Sequence, residues 1–264
     1  MQLTKDELKS LRPKNNNVLI KIDRSQDEIN LKGGCKLYLD TSYEVEKHAP
    51  VTGTVVALPD ELFYSRKSSN SMQWKTTNEL MVGDYVIFYY MSSVNALDPK
   101  FRKFITCENE TYLFIKYDNI YVAKRTYGVV RREWLDKIIP INGYLICEPL
   151  YDHKYLAIEK QAREMGLRLP RMIMEKFSVK FVRVRYIGKA NTEYHEKIFS
   201  DDNCNPEVGD IVTIRKHSNI AIEYELHLTF DGKNKFIRIQ RRYITGIVTD
   251  EQWKATLQTE ILAS

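Results

Sequence analysis

Seven residues, Val82-Gly83-Asp84-Tyr85-Val86-Ile87-Phe88, have a near copy 126 positions later, Val208-Gly209-Asp210-Ile211-Val212-Thr213-Ile214. Each half of the motif has a physical reading. Gly gives the backbone the freedom a tight turn needs. Asp accepts from nearby backbone N–H groups and holds that turn. The β-branched and aromatic run that follows starts a strand. Gly83, Asp84, Gly209 and Asp210 are therefore read as turn residues, not as a catalytic pair.

The spacing extends to the neighbours. Val18-Leu19-Ile20-Lys21 aligns with Tyr144-Leu145-Ile146-Cys147 at 126, and Pro13 with Pro140 at 127. Val55-Val56-Ala57 falls on Phe181-Val182-Arg183 at 126. Past the Gly-Asp strand the offset is 124, where Tyr112-Leu113-Phe114-Ile115 meets Phe236-Ile237-Arg238-Ile239 and Ile120 meets Ile244. Apolar runs recurring in one order at nearly constant spacing mark two copies of one β module. The expected division is a first module over residues 1–125, a helical linker over 126–138, a second module over 139–248 and a C-terminal helix over 249–264.

Composition agrees with two modest domains. The chain has 264 residues, 43% of them hydrophobic, with seventeen Tyr and ten Phe that favour strands. A net charge of +5 from 40 basic and 35 acidic residues is too mixed to imply nucleic acid. No apolar run approaches the roughly 18 residues of a membrane span. The first eleven residues lack the apolar centre of a signal peptide. Cys35, Cys107, Cys147 and Cys204 are far apart with no CxxC, as expected of reduced thiols in a cytoplasmic protein.

Along the chain, Thr4 and Glu7 form a capping-box pattern before a short helix that stops ahead of Pro13. Asn15-Asn16-Asn17 is a turn. Two long loops follow, residues 24–50 with the Gly33-Gly34 joint, and residues 59–80, expected to be a projecting hairpin. The stretch Arg131-Arg132-Glu133-Trp134-Leu135-Asp136-Lys137 reads as a helix. A second capping-box pattern, Thr249-Asp250-Glu251-Gln252, precedes Trp253, Leu257 and Ile261 at four-residue spacing, so each module is expected to end in a helix with one Trp.

The ordered set Pro13, the strand at 18–21, Gly33-Gly34, the strand at 53–58, the motif at 82–88, Tyr112-Leu113-Phe114-Ile115 and the strand at 120–123 resembles the co-chaperonins of the GroES (chaperonin-10) type. The resemblance covers nearly all of residues 12–125, and residues 139–248 less closely. It implies two tandem GroES-like small antiparallel β-barrels, so that with the residue readings the expected fold is mainly β, with short helices after each module and a helical insertion in the second. It implies ring assembly through edge strands, and docking on a chaperonin through an apolar tripeptide directly after the Gly-Gly pair. The corresponding loop residues are Gly33, Gly34, Cys35, Lys36, Leu37, Tyr38 and Leu39. The tripeptide here is Cys35-Lys36-Leu37, and a Lys in its centre costs free energy to desolvate unless it is paired or snorkels. Leu37-Tyr38-Leu39 is an alternative docking element, or else Leu37 and Leu39 share a strand face and belong to a core.

The second module replaces that loop with residues 152–176. Tyr155, Ile158, Ala162 and Met165 lie at helical spacing and Gly166 ends the run. Leu167, Leu169, Met172, Ile173 and Met174 follow, either as an adaptable docking element or as a cover for an open end or edge. The five His show no ligand spacing, so no metal or cofactor is expected. There is no phosphate-binding Gly-rich loop and no nucleophile elbow. Lys233, Lys235, Arg238, Arg241 and Arg242, with Phe236 and Tyr243, form a basic stretch read as a solvated strand face, with a nucleic-acid surface as its weaker alternative.

The expected function is a non-catalytic co-chaperonin-like cap that docks on a chaperonin and self-associates. The alternative is a structural or assembly protein, for example of a virus particle, that uses the same modules for protein contacts. Neither membrane nor nucleic acid is expected as a partner, and the location would be cytoplasmic or, for the alternative, virion-associated.

Overall fold

The structure is a computed structural model. It describes residues 2–23, 28–30, 36–38, 49–63, 74–75, 77–97, 104–130, 133–150, 153–167, 181–189, 193–194, 205–215, 236–248, 251 and 253. The chain forms two compact units. The first is Met1–Gly143 with Gly188–Ser200, and the second is Tyr144–Ile187 with Asp201–Ser264.

The first unit opens with helix α1 (Lys5–Ser10), whose N-cap Thr4 and N3 residue Glu7 form a complete capping box. Strands β1 (Asn17–Ile22), β2 (Glu28–Asn30), β3 (Lys36–Tyr38), β4 (Thr52–Ala57), β5 (Trp74–Lys75) and β6 (Tyr85–Phe88) precede helix α2 (Tyr90–Leu97). Strands β7 (Phe104–Cys107), β8 (Glu110–Lys116), β9 (Ile120–Val130) and β10 (Glu133–Pro140) complete it. Seven of these strands form one antiparallel sheet in the order β10-β9-β6-β4-β1-β8-β7, while β2 and β3 pair separately. Val18, Ile20, Val55, Val86, Phe88, Leu113 and Ile115 anchor the core on one face. Leu19, Ile105 and Tyr112 pack with Leu8 of α1 in a smaller cluster.

The second unit contains β11 (Tyr144–Leu150), helix α3 (His153–Glu164), β12 (Phe181–Ile187), β14 (Ile211–Ile214), β15 (Ile237–Gln240) and β16 (Ile244–Val248). The two-residue strand β13 (Glu193–Tyr194) belongs to the first unit. The sheet order is β15-β11-β12-β14-β16. This is the order β8-β1-β4-β6-β9 of the first unit, strand for strand. The fold is thus mainly β, with two antiparallel sheets built on one repeated five-strand plan. Among the described residues no pairing joins the two ends of either sheet.

Hydrogen bonds fix the repeat more finely than sequence spacing. Val55 N–H donates to Asp84 O and Gly83 N–H to Val55 O, and Val184 stands in the same relation to Asp210 and Gly209. Val55 therefore corresponds to Val184, an offset of 129 and not 126. Ile20 pairs with both Val55 and Leu113, and Cys147 with both Val184 and Ile237. The first strands thus correspond at 127, one residue from the expected alignment. A one-residue shift exchanges the two faces of a strand. Val18, Leu19 and Ile20 are all buried, so the apolar run carries no alternation from which to read the face. The offsets of 126 at the Gly-Asp turn and 124 beyond it hold, down to a register shift at Ile87/Phe88 and at Thr213/Ile214. With these corrections Val18, Ile20, Val55, Val86, Phe88, Leu113 and Ile115 become Leu145, Cys147, Val184, Val212, Ile214, Ile237 and Ile239, all in the core of the second unit.

The helical linker expected over 126–138 is a correction. Strands β9 and β10 form an antiparallel ladder there, with Val130 opposite Glu133 and Ala123 opposite Ile139. The charged run at 131–137 imitates a helix surface, but Tyr127, Val129, Val130, Ile138 and Ile139 supply β-forming residues on both sides of it. Of the C-terminal helix, Glu251 and Trp253 are helical and the remainder lies outside the described residues. Trp253 packs on Phe181 with ring centroids 4.7 Å apart. Of the projecting hairpin expected over 59–80, residues 64–73 and 76 lie outside the described residues, and the described strand β5 pairs with β13. Helix α2 carries no capping pattern, and its hydroxyl-rich sequence hid it.

Candidate protein-contact loops and the polar centre beside them

The two modules differ between their first and second strands. In the first unit residues 23–51 connect β1 to β4, and the base of this loop is clamped. Thr52 Oγ1 donates to Asp23 Oδ2 at 2.6 Å and Tyr85 Oη donates to the same oxygen at 2.7 Å. Asp23 N–H donates to Thr52 O at 3.2 Å. Beyond the clamp, β2 and β3 form a hairpin with Asn30 opposite Lys36, Ile29 opposite Leu37 and Glu28 opposite Tyr38. Lys36, Leu37 and Tyr38 therefore lie in a two-stranded sheet apart from the main one. Gly33, Gly34, Cys35 and Leu39 lie outside the described residues.

In the second unit the equivalent connection carries α3. Ala162 is buried in it, and Gly166, at φ 70°, follows the helix. Leu167 N–H returns to Ala162 O at 2.8 Å, closing the helix end. Ile158, Met165 and Leu167 are exposed. Leu169, Met172, Ile173 and Met174 lie outside the described residues.

The Gly-Asp turns are built alike. Asp84 Oδ2 accepts from Met81 N–H and Asp210 Oδ2 from Glu207 N–H, each at 2.8 Å. Gly83 and Gly209 sit at φ 94° and 103°, in the left-handed region that favours glycine. The first turn has an addition that sequence reading missed. Arg125 Nε donates to Asp84 Oδ1 at 2.7 Å and Arg125 Nη2 to Asp84 Oδ2 at 2.6 Å, a bidentate pair. The Asp84 side chain is only 2% exposed and that of Arg125 17%. The position 124 residues after Arg125 is Thr249, so the second module carries no cation at that position.

Arg125 Nη2 also donates to Glu79 O at 2.9 Å, which joins the turn to a second polar group. Glu79 N–H donates to Tyr117 Oη at 2.7 Å, and that hydroxyl lies 3.4 Å from Glu79 Oε2. Asn142 N–H donates to the same Oε2 at 3.0 Å, and Asn142 Nδ2 donates to Tyr117 O at 2.9 Å. Tyr117 and Asn142 are wholly buried. Burial pushes the Glu79 carboxyl up to about 7, against the Asn142 N–H, the Tyr117 hydroxyl and Lys189, all of which favour its charged form. Burial and the nearby Glu79 charge push the Tyr117 phenol upward. Nothing in the residue types announced this centre, because its members are spread over residues 79–189 and meet only in three dimensions.

The basic stretch is not a uniformly solvated face. Arg241 is buried in a short helical turn at Arg241–Tyr243, and Arg238 stacks over the Tyr144 ring with Cζ 4.8 Å from its centroid. Cys107 and Cys147 are buried free thiols, and burial pushes that of Cys147 upward. Among the described residues no group of three or more His, Cys, Asp or Glu could hold a metal ion, and no helix is long and apolar enough to cross a membrane. Compared with protein-family models and with curated proteins, the chain matches none.

Proposed function

We propose that this chain is a co-chaperonin-like protein, a tandem of two GroES-like modules that docks on a chaperonin and self-associates into a closed cap. The repeated five-strand order supports the reading, because it places the Gly33-Gly34 loop between the first and second strands of a module, where the resembling family carries its docking loop. The observation that carries it is the construction of that loop. Its base is held by Asp23, Thr52 and Tyr85, and its hairpin pairs outside the main sheet. A loop anchored at its root, with a hairpin that pairs apart from the main sheet, is suited to meet a partner.

A second reading has its own observation. Helix α3 replaces the hairpin in the second module and exposes Ile158, Met165 and Leu167, a surface suited to protein contacts in a larger assembly. The two readings separate by native mass. Closed symmetry is the usual outcome for self-assembling subunits. The usual ring of the resembling family has seven modules, an odd number that chains of two modules cannot fill, so the co-chaperonin reading expects rings of about three or four chains. Light scattering after size exclusion should give that mass. With a GroEL-type chaperonin and ATP or ADP, the protein should co-elute with the chaperonin. A monomer that ignores the chaperonin overturns the first reading and leaves the assembly reading.

A further inference from the structure

The turn that leads into the first strand is shared by the two modules. Asn15 and Asn16 stand directly before β1 at φ 56° and 59°, and Asn142 and Gly143 directly before β11 at 59° and 70°. The offset is 127, that of the first strands and of Pro13 and Pro140. Two consecutive residues in the left-handed region account for the choice of Asn and Gly. The copies differ in their chemistry. Asn142 is the one Asn of the chain that is followed by Gly. The backbone nitrogen of a Gly has no neighbouring side chain to hinder its closing on the preceding side-chain amide, whereas the side chain of Asn16 crowds the same approach to Asn15.

In the folded chain this closure is opposed from several sides. Asn142 is wholly buried. Its N–H donates to Glu79 Oε2 at 3.0 Å and its Nδ2 to Tyr117 O at 2.9 Å. The preceding Ile141 N–H donates to Tyr121 O at 3.0 Å. Swinging the Asn142 amide onto the Gly143 nitrogen would break the bond to Tyr117, and water would have to enter a buried turn to complete the reaction.

We propose that Asn142-Gly143 is a deamidation site that folding shuts, and that reaction there bars the chain from refolding. In the unfolded chain the Gly143 amide nitrogen attacks the Asn142 side-chain carbonyl carbon. The nitrogen's proton leaves with the side-chain nitrogen as ammonia, and a five-membered succinimide forms. Water then opens the ring to aspartate or isoaspartate. Either product carries a carboxylate where the amide was, and an ionised carboxylate cannot donate to Tyr117 O. Refolding would bury that charge against a carbonyl oxygen and beside Glu79, at the cost of an unpaired buried anion. Isoaspartate also adds a methylene to the backbone, which displaces the N–H that Glu79 accepts. The site therefore records time spent unfolded, at a position where the first unit cannot be rebuilt afterwards.

The full chain, held at pH 8 either folded or in guanidinium chloride, tests this when the peptide containing residues 142 and 143 is mapped by mass spectrometry at intervals. Reaction at Asn142 should proceed in denaturant and run at least about a hundredfold slower in the folded protein, whose unfolded population is small. After dilution from denaturant, the chains that refold are separated by size exclusion from those that do not, and both fractions are mapped. Aspartate and isoaspartate at position 142 should be confined to the chains that fail. Equal rates in the folded and unfolded chain overturn the proposal, as does the absence of reaction in denaturant. Product found in the same proportion in both fractions overturns it too. Should no chain refold after dilution, Asn142→Asp produced directly decides. Loss of folded yield or a lowered melting temperature supports the proposal, and values equal to those of the unaltered protein overturn it.

Discussion

Asp84 and Asp210 occupy equivalent turns, yet their surroundings assign them different weight. Asp84 is buried and paired to Arg125 through two bonds, whereas Asp210 accepts from Glu207 N–H in a half-open turn. Arg125→Met leaves Asp84 buried without its counterion and should destabilise the first unit by about 3–5 kcal/mol. Asp210→Asn weakens one turn bond and should cost about 1 kcal/mol. Urea denaturation followed by Trp fluorescence checks the contrast, and equal losses would refute it. Glu79 makes a pH-dependent contribution whose sign follows from its burial. The neutral form belongs to the folded state, so its stabilisation is full below the ordinary carboxyl value of 4.5 and is lost as the pH rises through about 7. Stability of Glu79→Gln relative to the unaltered protein should therefore grow from pH 5 to pH 8. The gain should not exceed about 3 kcal/mol, and partial exposure reduces it. A flat difference across that range would show that the burial argument fails.

Individual strands carried different amounts of information. The Gly-Asp turns and the strands after them were legible because Gly, Asp and a β-branched run each impose a local conformation. The first strand of each module was legible as a strand but not in register, since three consecutive buried apolar residues suit either face. The β9–β10 ladder was misread because polar residues between two β-forming stretches are compatible with a helix surface, and only strand pairing removes the ambiguity. Helix α3 was readable from its periodicity and from Gly166. The hairpin of β2 and β3 bears on whether Leu37 belongs to the core. Its strands pair apart from the seven-stranded sheet. Leu37→Asp combined with Leu39→Asp should therefore abolish chaperonin co-elution and leave the far-UV circular dichroism and melting temperature essentially unchanged. Loss of the fold would place these residues in a core and remove the hairpin from the docking reading.

At the scale of the whole molecule, duplication explains the two sheets, and divergence explains their differences. Strands β7 and β10 extend the first sheet beyond the five shared strands, Arg125 locks one turn and not the other, and the loops after the first strands carry a hairpin in one unit and a helix in the other. Native mass tests what the duplication is for, and a ring with six or eight modules is the outcome the co-chaperonin reading expects. The amino-acid order by itself determined that one β module was written twice, where its turns fall, and that a helix interrupts the second copy. Those features rest on local preferences and on spacing along the chain, which a linear text preserves. Tertiary structure alone decided the exact strand registers, the fate of residues 126–138 and the polar centre around Glu79. Each of these depends on groups far apart in the chain sharing burial and hydrogen bonds, and neither burial nor partner is a property of a residue until the chain has folded.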